Sequence, residues 1–193
     1  MGDEAWQAFS ERVTWDAAFH ATCEAAPRPD ASALALINDR NTSVLVAVSA
    51  LMERRTETSE DDNALSNEVA RLDAKLNVLM EIVNRLLLPQ SALPARVSMR
   101  FNAVGVVLPW AGLPVVGQSV MLRLHFDACR ALPLELPGVR VAGPSDGKGF
   151  ICFDGLTEAV RDGIERLVFR QHRRQVAEAR AQSRPSDGGF EAM

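Results

Sequence analysis

Tyrosine is absent from these 193 residues, lysine occurs only at Lys75 and Lys148, and cysteine and histidine number three each. Each shortage removes a class of function. Proteins that grip nucleic acid polymers concentrate basic charge. Here the net charge is −4 and the basic residues are almost all arginine, which argues against a general nucleic-acid binder. Cys23, Cys129 and Cys152 are odd in number and widely spaced. They point to reduced, mostly buried thiols in a cytoplasmic protein. His20 with Cys23, or His125 with Cys129, supplies only half of a closed four-ligand zinc site. No second pair is spaced to complete one, so no metal is expected. No apolar stretch reaches the ~20 residues that span a bilayer, and Met1-Gly2-Asp3-Glu4 lacks the basic and apolar regions of a secretory signal.

The motifs of catalysis are missing too. There is no G-x-S-x-G elbow, no H-E-x-x-H and no glycine-rich dinucleotide turn. Gly143-Pro144-Ser145-Asp146-Gly147-Lys148-Gly149 lacks the final Ser or Thr of a phosphate-binding loop and the helix that should follow it, so it reads as a β-turn. Asp61 and Asp62 lie in a solvated linker. The chain is therefore expected to be no enzyme and to carry no cofactor.

What is present is a heptad pattern over residues 31–88. One core position reads Leu34, Asn41, Val48, Arg55, Asp62, Val69, Leu76, Val83. The other reads Ile37, Val44, Leu51, Thr58, Leu65, Leu72, Leu79, Leu86. Such a stripe has to be hidden against another helix. The centre, Thr56 to Asp62, is polar and acidic. It fits either one continuous helix or, as the favoured reading, two helices with Thr58 or Ser59 capping the second. Asn41 either fixes the register of a helical bundle or faces water outside it. In the second helix Met80, Ile82 and Leu87 widen the stripe beyond a two-stranded seam. That predicts a homotetramer with these helices parallel at its centre, a dimer being the alternative. The residues expected to build it are Leu65, Val69, Leu72, Leu76, Leu79, Val83 and Leu86.

Pro89 stops the second helix, and strand patterns follow. Val97, Met99 and Phe101 alternate with Ser98, Arg100 and Asn102. Val120, Leu122, Leu124 and Phe126 alternate with Met121, Arg123, His125 and Asp127. Leu132, Leu134 and Leu136 continue the alternation to Pro137-Gly138, and Val139–Val141 and Phe150–Phe153 flank the turn at 144–149. Short strands at this spacing predict a small antiparallel barrel. Before the heptads, Trp6 and Phe9 mark a short helix. Phe19, Ala21, Cys23 and Ala25 then alternate with His20, Thr22 and Glu24 as in a strand. A helix returns from about Leu156, with Val160, Ile164, Leu167 and Val168 as its buried face. The predicted fold class is α+β. Residues 1–30 form a helix–strand segment joining the barrel, 31–88 form two long helices as a coiled-coil assembly element, 95–182 form the barrel and C-terminal helix, and 183–193 form a disordered tail.

Residues 95 to about 174 resemble a PilZ domain, the bacterial module best known for binding cyclic di-GMP. The resemblance rests on the order of several phrases: 97–106 with Gly105, Val116-Gly117-Gln118-Ser119-Val120-Met121-Leu122-Arg123-Leu124, Leu136-Pro137-Gly138-Val139-Arg140-Val141, and Phe153-Asp154-Gly155-Leu156 ahead of the last helix. With long heptad helices in front, the chain resembles the atypical, tetramer-forming PilZ type found in xanthomonads.

Nucleotide-binding members of that family carry R-x-x-x-R before the barrel and [D/N]-x-S-x-x-G at its first strand. The second motif falls here on Arg100, Asn102 and Gly105. Only the glycine is kept: Arg100 replaces the acid or amide, and Asn102 the serine. Leu86 to Ala95 contains no arginine, while Arg96 and Arg100 have the spacing but sit in the strand. Two phosphates and stacked guanines need bidentate guanidinium groups and polar groups for the base edge. The resemblance with these departures implies a non-enzymatic oligomeric signalling adaptor with a degenerate cyclic di-GMP site, acting through contacts with an unidentified protein partner. The alternative is a cyclic di-GMP receptor using displaced arginines. Trp110, between Pro109 and Gly112, either contacts that partner or folds back to plug the barrel.

Overall fold

The computed structural model describes residues 2–53, 64–88, 92–109, 112–142 and 147–182. The polar centre of the heptad region at 56–62, Trp110, most of the turn at 143–146 and the tail from 183 lie outside the described residues. In chain order the elements are α1 (Gly2–Ser10), β1 (Trp15–Ala25), α2 (Ala31–Glu53), α3 (Ala64–Leu87), β2 (Arg96–Phe101), β3 (Gly105–Pro109), β4 (Ser119–Phe126), β5 (Cys129–Val141), β6 (Lys148–Phe153) and α4 (Glu158–Gln182).

The strands close into an antiparallel barrel in the order β1-β2-β3-β6-β5-β4. Closure depends on β1, whose first half pairs with β2 (Trp15 opposite Phe101) and whose second half pairs with β4 (Ala25 opposite Val120). Alternation then puts one side chain in two inside. Phe19, Met99, Phe101, Leu122, Leu124, Phe126, Leu134, Leu136 and Ile151 are all buried in one cluster. Trp15, Phe19 and Phe126 fill one region of it, with ring centroids 4.8 Å apart for Trp15–Phe19 and 5.8 Å for Phe19–Phe126. A smaller cluster lies outside the barrel wall, where Phe9 of α1 meets Val107 and Phe150.

Two strand readings change. The phrase 97–106, likened to one barrel strand, is two strands, β2 and β3, meeting at a corner formed by Asn102. And β5 runs unbroken through Pro137-Gly138. Pro137 has no N–H to give, and its carbonyl accepts from Asp154 N at 2.9 Å. Gly138 is needed because a Cβ there would meet Cys152 O at 2.6 Å.

Helix α2 starts as the sequence predicts. Asp30 Oδ1 accepts from Ala33 N at 2.8 Å, one of the orphan donors of a helix N-terminus. Its heptad face is used inside the chain: Ile37, Val44, Leu45 and Val48 are buried against β5 and α4. On the other side Val160, Ile164, Leu167 and Val168 of α4 are buried, the face read from the sequence. Gly163 lets the two helices approach, since a Cβ there would stand 2.9 Å from Leu45 Cδ1. Asn41 follows neither of the two sequence readings. It is 0% exposed and grips β5, donating from Nδ2 to Glu135 O at 2.6 Å and accepting at Oδ1 from Glu135 N at 2.9 Å. Only residues 138–141 of β5 pair with β6, so the backbone edge at Glu135 has no strand beside it. The asparagine amide supplies the donor and acceptor a strand would have supplied. One turn earlier, Asn38 donates to Gly155 O at 3.0 Å and accepts from Thr157 N at 3.1 Å. Two asparagines thus fix α2 on the barrel.

Candidate functional site

The nucleotide-motif positions meet at the β2–β3 corner. Asn102 is buried, and both its polar atoms are engaged. Nδ2 donates to Phe9 O at 3.0 Å, satisfying a carbonyl at the C-terminus of α1. Oδ1 accepts from Val104 N at 2.9 Å and Gly105 N at 3.4 Å. Gly105 is explained by packing: a Cβ would come within 2.3 Å of Ile151 O and 2.6 Å of the Phe150 ring. The one kept residue of the motif is therefore a close-approach glycine between β3 and β6.

Arg100 points outward from β2, half-exposed, with Nε 3.3 Å from Asp16 Oδ1 across the β1–β2 pair. Arg96, four residues earlier on the same outer face, bonds Asp127 Oδ1 at 2.5 Å and Ala18 O at 2.9 Å. Both arginines of the in-strand spacing thus already have a carboxylate. Such exposed pairs contribute only about 0–1 kcal/mol each, so they occupy the guanidinium groups without locking them. Beside Arg100 lies an open depression of about 430 Å³, lined by Asp16, Ser98, Val107, Pro109 and Lys148 among others.

A second candidate surface is α3. Val69, Leu72, Leu76, Leu79, Val83 and Leu86 are all exposed, from 43% at Val83 to 77% at Leu86. Met80, Ile82 and Leu87 are exposed with them. Leu65 lies on the same helix. The stripe read from the heptads is thus uncovered in the single chain, whereas the equivalent stripe of α2 is covered by barrel and α4.

The titratable groups offer little chemistry. Burial pushes the Cys23 thiol up to about 11, with Glu24 adding to the effect and Arg140 opposing it. Burial likewise raises Cys129 and Cys152. All three are free and stay protonated near neutrality, the form that is a poor nucleophile. Among the described residues no group of three or more His, Cys, Asp or Glu is placed to hold a metal, and no helix is long and apolar enough to cross a membrane. His20, read as alternating with the apolar residues of its strand, is buried. Its Nδ1 lies 2.6 Å from Pro94 O, tying the segment after α3 to β1. No local sequence signal marks a contact across 74 residues.

No curated protein matches this chain. Among solved structures, the chain is similar to a pathogenic protein of Xanthomonas campestris. That structure is described as a tetrameric PilZ domain self-assembled through an unusual helical bundle. The TM-score is 0.70 at 23% identity, covering 92% of this chain and 99% of that one, which establishes the shared fold. Residues 45–181, from the second half of α2 to the end of α4, match the family described as atypical PilZ domain, cyclic di-GMP receptor. The six-stranded barrel, the capping helix α4 and this match together establish that the chain belongs to the atypical PilZ domain family.

Proposed function

We propose that this chain is a non-enzymatic, self-assembling PilZ signalling adaptor that works in the cytoplasm through protein contacts and does not use cyclic di-GMP. The observation that carries the reading is the uncovered apolar stripe of α3. A helix with this many exposed branched and leucine side chains marks an interaction surface. Fully burying each such side chain contributes about 1.5–3 kcal/mol. The stripe is wider than the seam of a two-stranded coiled coil, and α2 is already engaged with its own barrel. Four α3 helices packed in parallel cover it best. The Xanthomonas campestris neighbour, described as a tetramer self-assembled through a helical bundle, supports this arrangement. Loss of nucleotide binding is supported by the corner: Asn102 and Gly105 serve the fold, and Arg100 is opposite Asp16.

The second reading, a receptor with displaced arginines, is favoured by the family's description and by Arg100 and Lys148 lining one depression. Calorimetric titration with cyclic di-GMP separates the two. The adaptor reading expects no saturable heat with a Kd below about 10 μM, equivalent to about −6.8 kcal/mol. Tighter binding that disappears in Arg100→Ala would establish the receptor reading in its place.

A further inference from the structure

The chain carries net negative charge, yet one stretch of α4 is strongly basic. From Arg166 to Arg174 there are arginines at 166, 170, 173 and 174 and no acid. The spacing of 166, 169, 170 and 173 sets them on one helical face, opposite the face buried on the barrel. In their midst Phe169 is 55% exposed, with the Arg173 guanidinium 6.0 Å from its ring centroid. Two depressions meet at Arg166 and Phe169. One, of about 610 Å³, runs between α4 and the α1–β1 connection and is walled by the exposed Val13, by Ala103 and by Val168. The other, of about 450 Å³, continues toward Met52 at the end of α2.

The arginines are not equivalent. Arg170 donates to Ser49 O at 3.3 Å, near the end of α2, and Arg174 pairs with Glu178 at 2.7 Å. Arg166 and Arg173 pair with no carboxylate among the described residues. The larger cleft also carries carboxylates, Glu165 paired with Arg12 and Glu11 accepting from Gln7 at 2.9 Å. A polyanion of uniform charge would run into those carboxylates. A segment with an apolar side chain at one end and carboxylates at the other would not.

We infer that this face of α4 docks an acidic peptide segment of a partner protein, an aromatic or leucine side chain entering the Val13–Phe169 cleft and carboxylates meeting Arg166 and Arg173. Arginine and aromatic residues are enriched at interface hot spots, and charge-assisted bonds from guanidinium to carboxylate set orientation. The inference rests on the protein-contact reading above and names a surface for it.

The test uses the full chain and a fluorescein-labelled synthetic peptide of about twelve residues in which Glu and Asp flank two Leu and one Phe, followed by anisotropy at low salt. Saturable binding is expected, weakened about tenfold or more by Arg166→Glu with Arg173→Glu, and about as much by Phe169→Ala or by replacing the peptide's Phe with Gly. These side chains are exposed, so circular dichroism should be unchanged; Arg173→Gln is the milder variant if the double charge reversal disturbs the helix. Absence of saturable binding, binding indifferent to these variants, or equal binding of single-stranded DNA of the same charge would overturn the inference. Light scattering on the same samples keeps the two proposals apart. An intact tetramer without peptide binding removes only this surface, and a monomer that binds the peptide removes only the assembly.

Discussion

Asn41→Ala is the sharpest test of how α2 is held. The asparagine is fully buried and makes both hydrogen bonds of Glu135's backbone, at 2.6 and 2.9 Å. Alanine leaves one N–H and one C=O under the helix without partners. Each unpaired buried group costs about 1–3 kcal/mol, so the substitution should destabilise the chain by about 2–6 kcal/mol. Asn41→Asp should do no better, because its carboxylate would face the Glu135 carbonyl. Ser43→Ala, exposed on the same helix, should change stability by less than about 0.5 kcal/mol. The assay is urea unfolding followed by far-ultraviolet circular dichroism at one fixed protein concentration, since assembly makes the midpoint concentration-dependent. With a slope of about 1–3 kcal/mol per M, the Asn41→Ala midpoint should fall by about 0.7 M or more. A shift no larger than that of Ser43→Ala would refute the argument that this amide replaces a missing strand.

Gly105→Ala should lower stability by at least about 1–3 kcal/mol, because the methyl group would press on the Ile151 carbonyl and the Phe150 ring; an unchanged melting temperature would show that β3 and β6 have room to move apart. The Cys23 thiol, raised to about 11 by burial, stays neutral in the folded chain while an unfolded thiol ionises near about 8.5. Its contribution to stability is therefore full below about pH 8.5 and declines as pH rises toward about 11. Alkylation of Cys23 by iodoacetamide near pH 8, read by peptide mass spectrometry, should be many-fold slower in the folded chain than in urea; equal rates would place the thiol in solvent.

The barrel was legible because period-two alternation survives through much of the sheet, although His20 and Met121 are buried against the pattern and Leu132 is exposed, and Val160, Ile164, Leu167 and Val168 were legible because a helix on a barrel keeps the 3.6 period. The heptads were legible as a stripe and ambiguous as to what covers it. The same spacing serves α2, which lies on its own barrel, and α3, whose stripe from Val69 to Leu86 is exposed in the single chain. The asparagines show the limit most plainly. A polar residue in an apolar stripe signals a specific partner, but the partner of Asn41 is a strand edge 94 residues away and that of Asn102 is a helix end 93 residues away. The departure of Arg100 and Asn102 from the nucleotide motif was readable by position. That Asn102 pins α1 instead was not, because it depends on the corner bringing Phe9 into reach. His20 escaped for the same reason.

The central claim is that α3 assembles the chain, and the mass in solution tests it most directly. Light scattering at micromolar concentration should give four times the 21.1 kDa chain mass. Leu72→Ala with Leu79→Ala should shift that mass downward on dilution, at about 2–5 kcal/mol for each leucine lost from the core of the bundle. A mass of 21.1 kDa for the unaltered chain at that concentration would contradict the account.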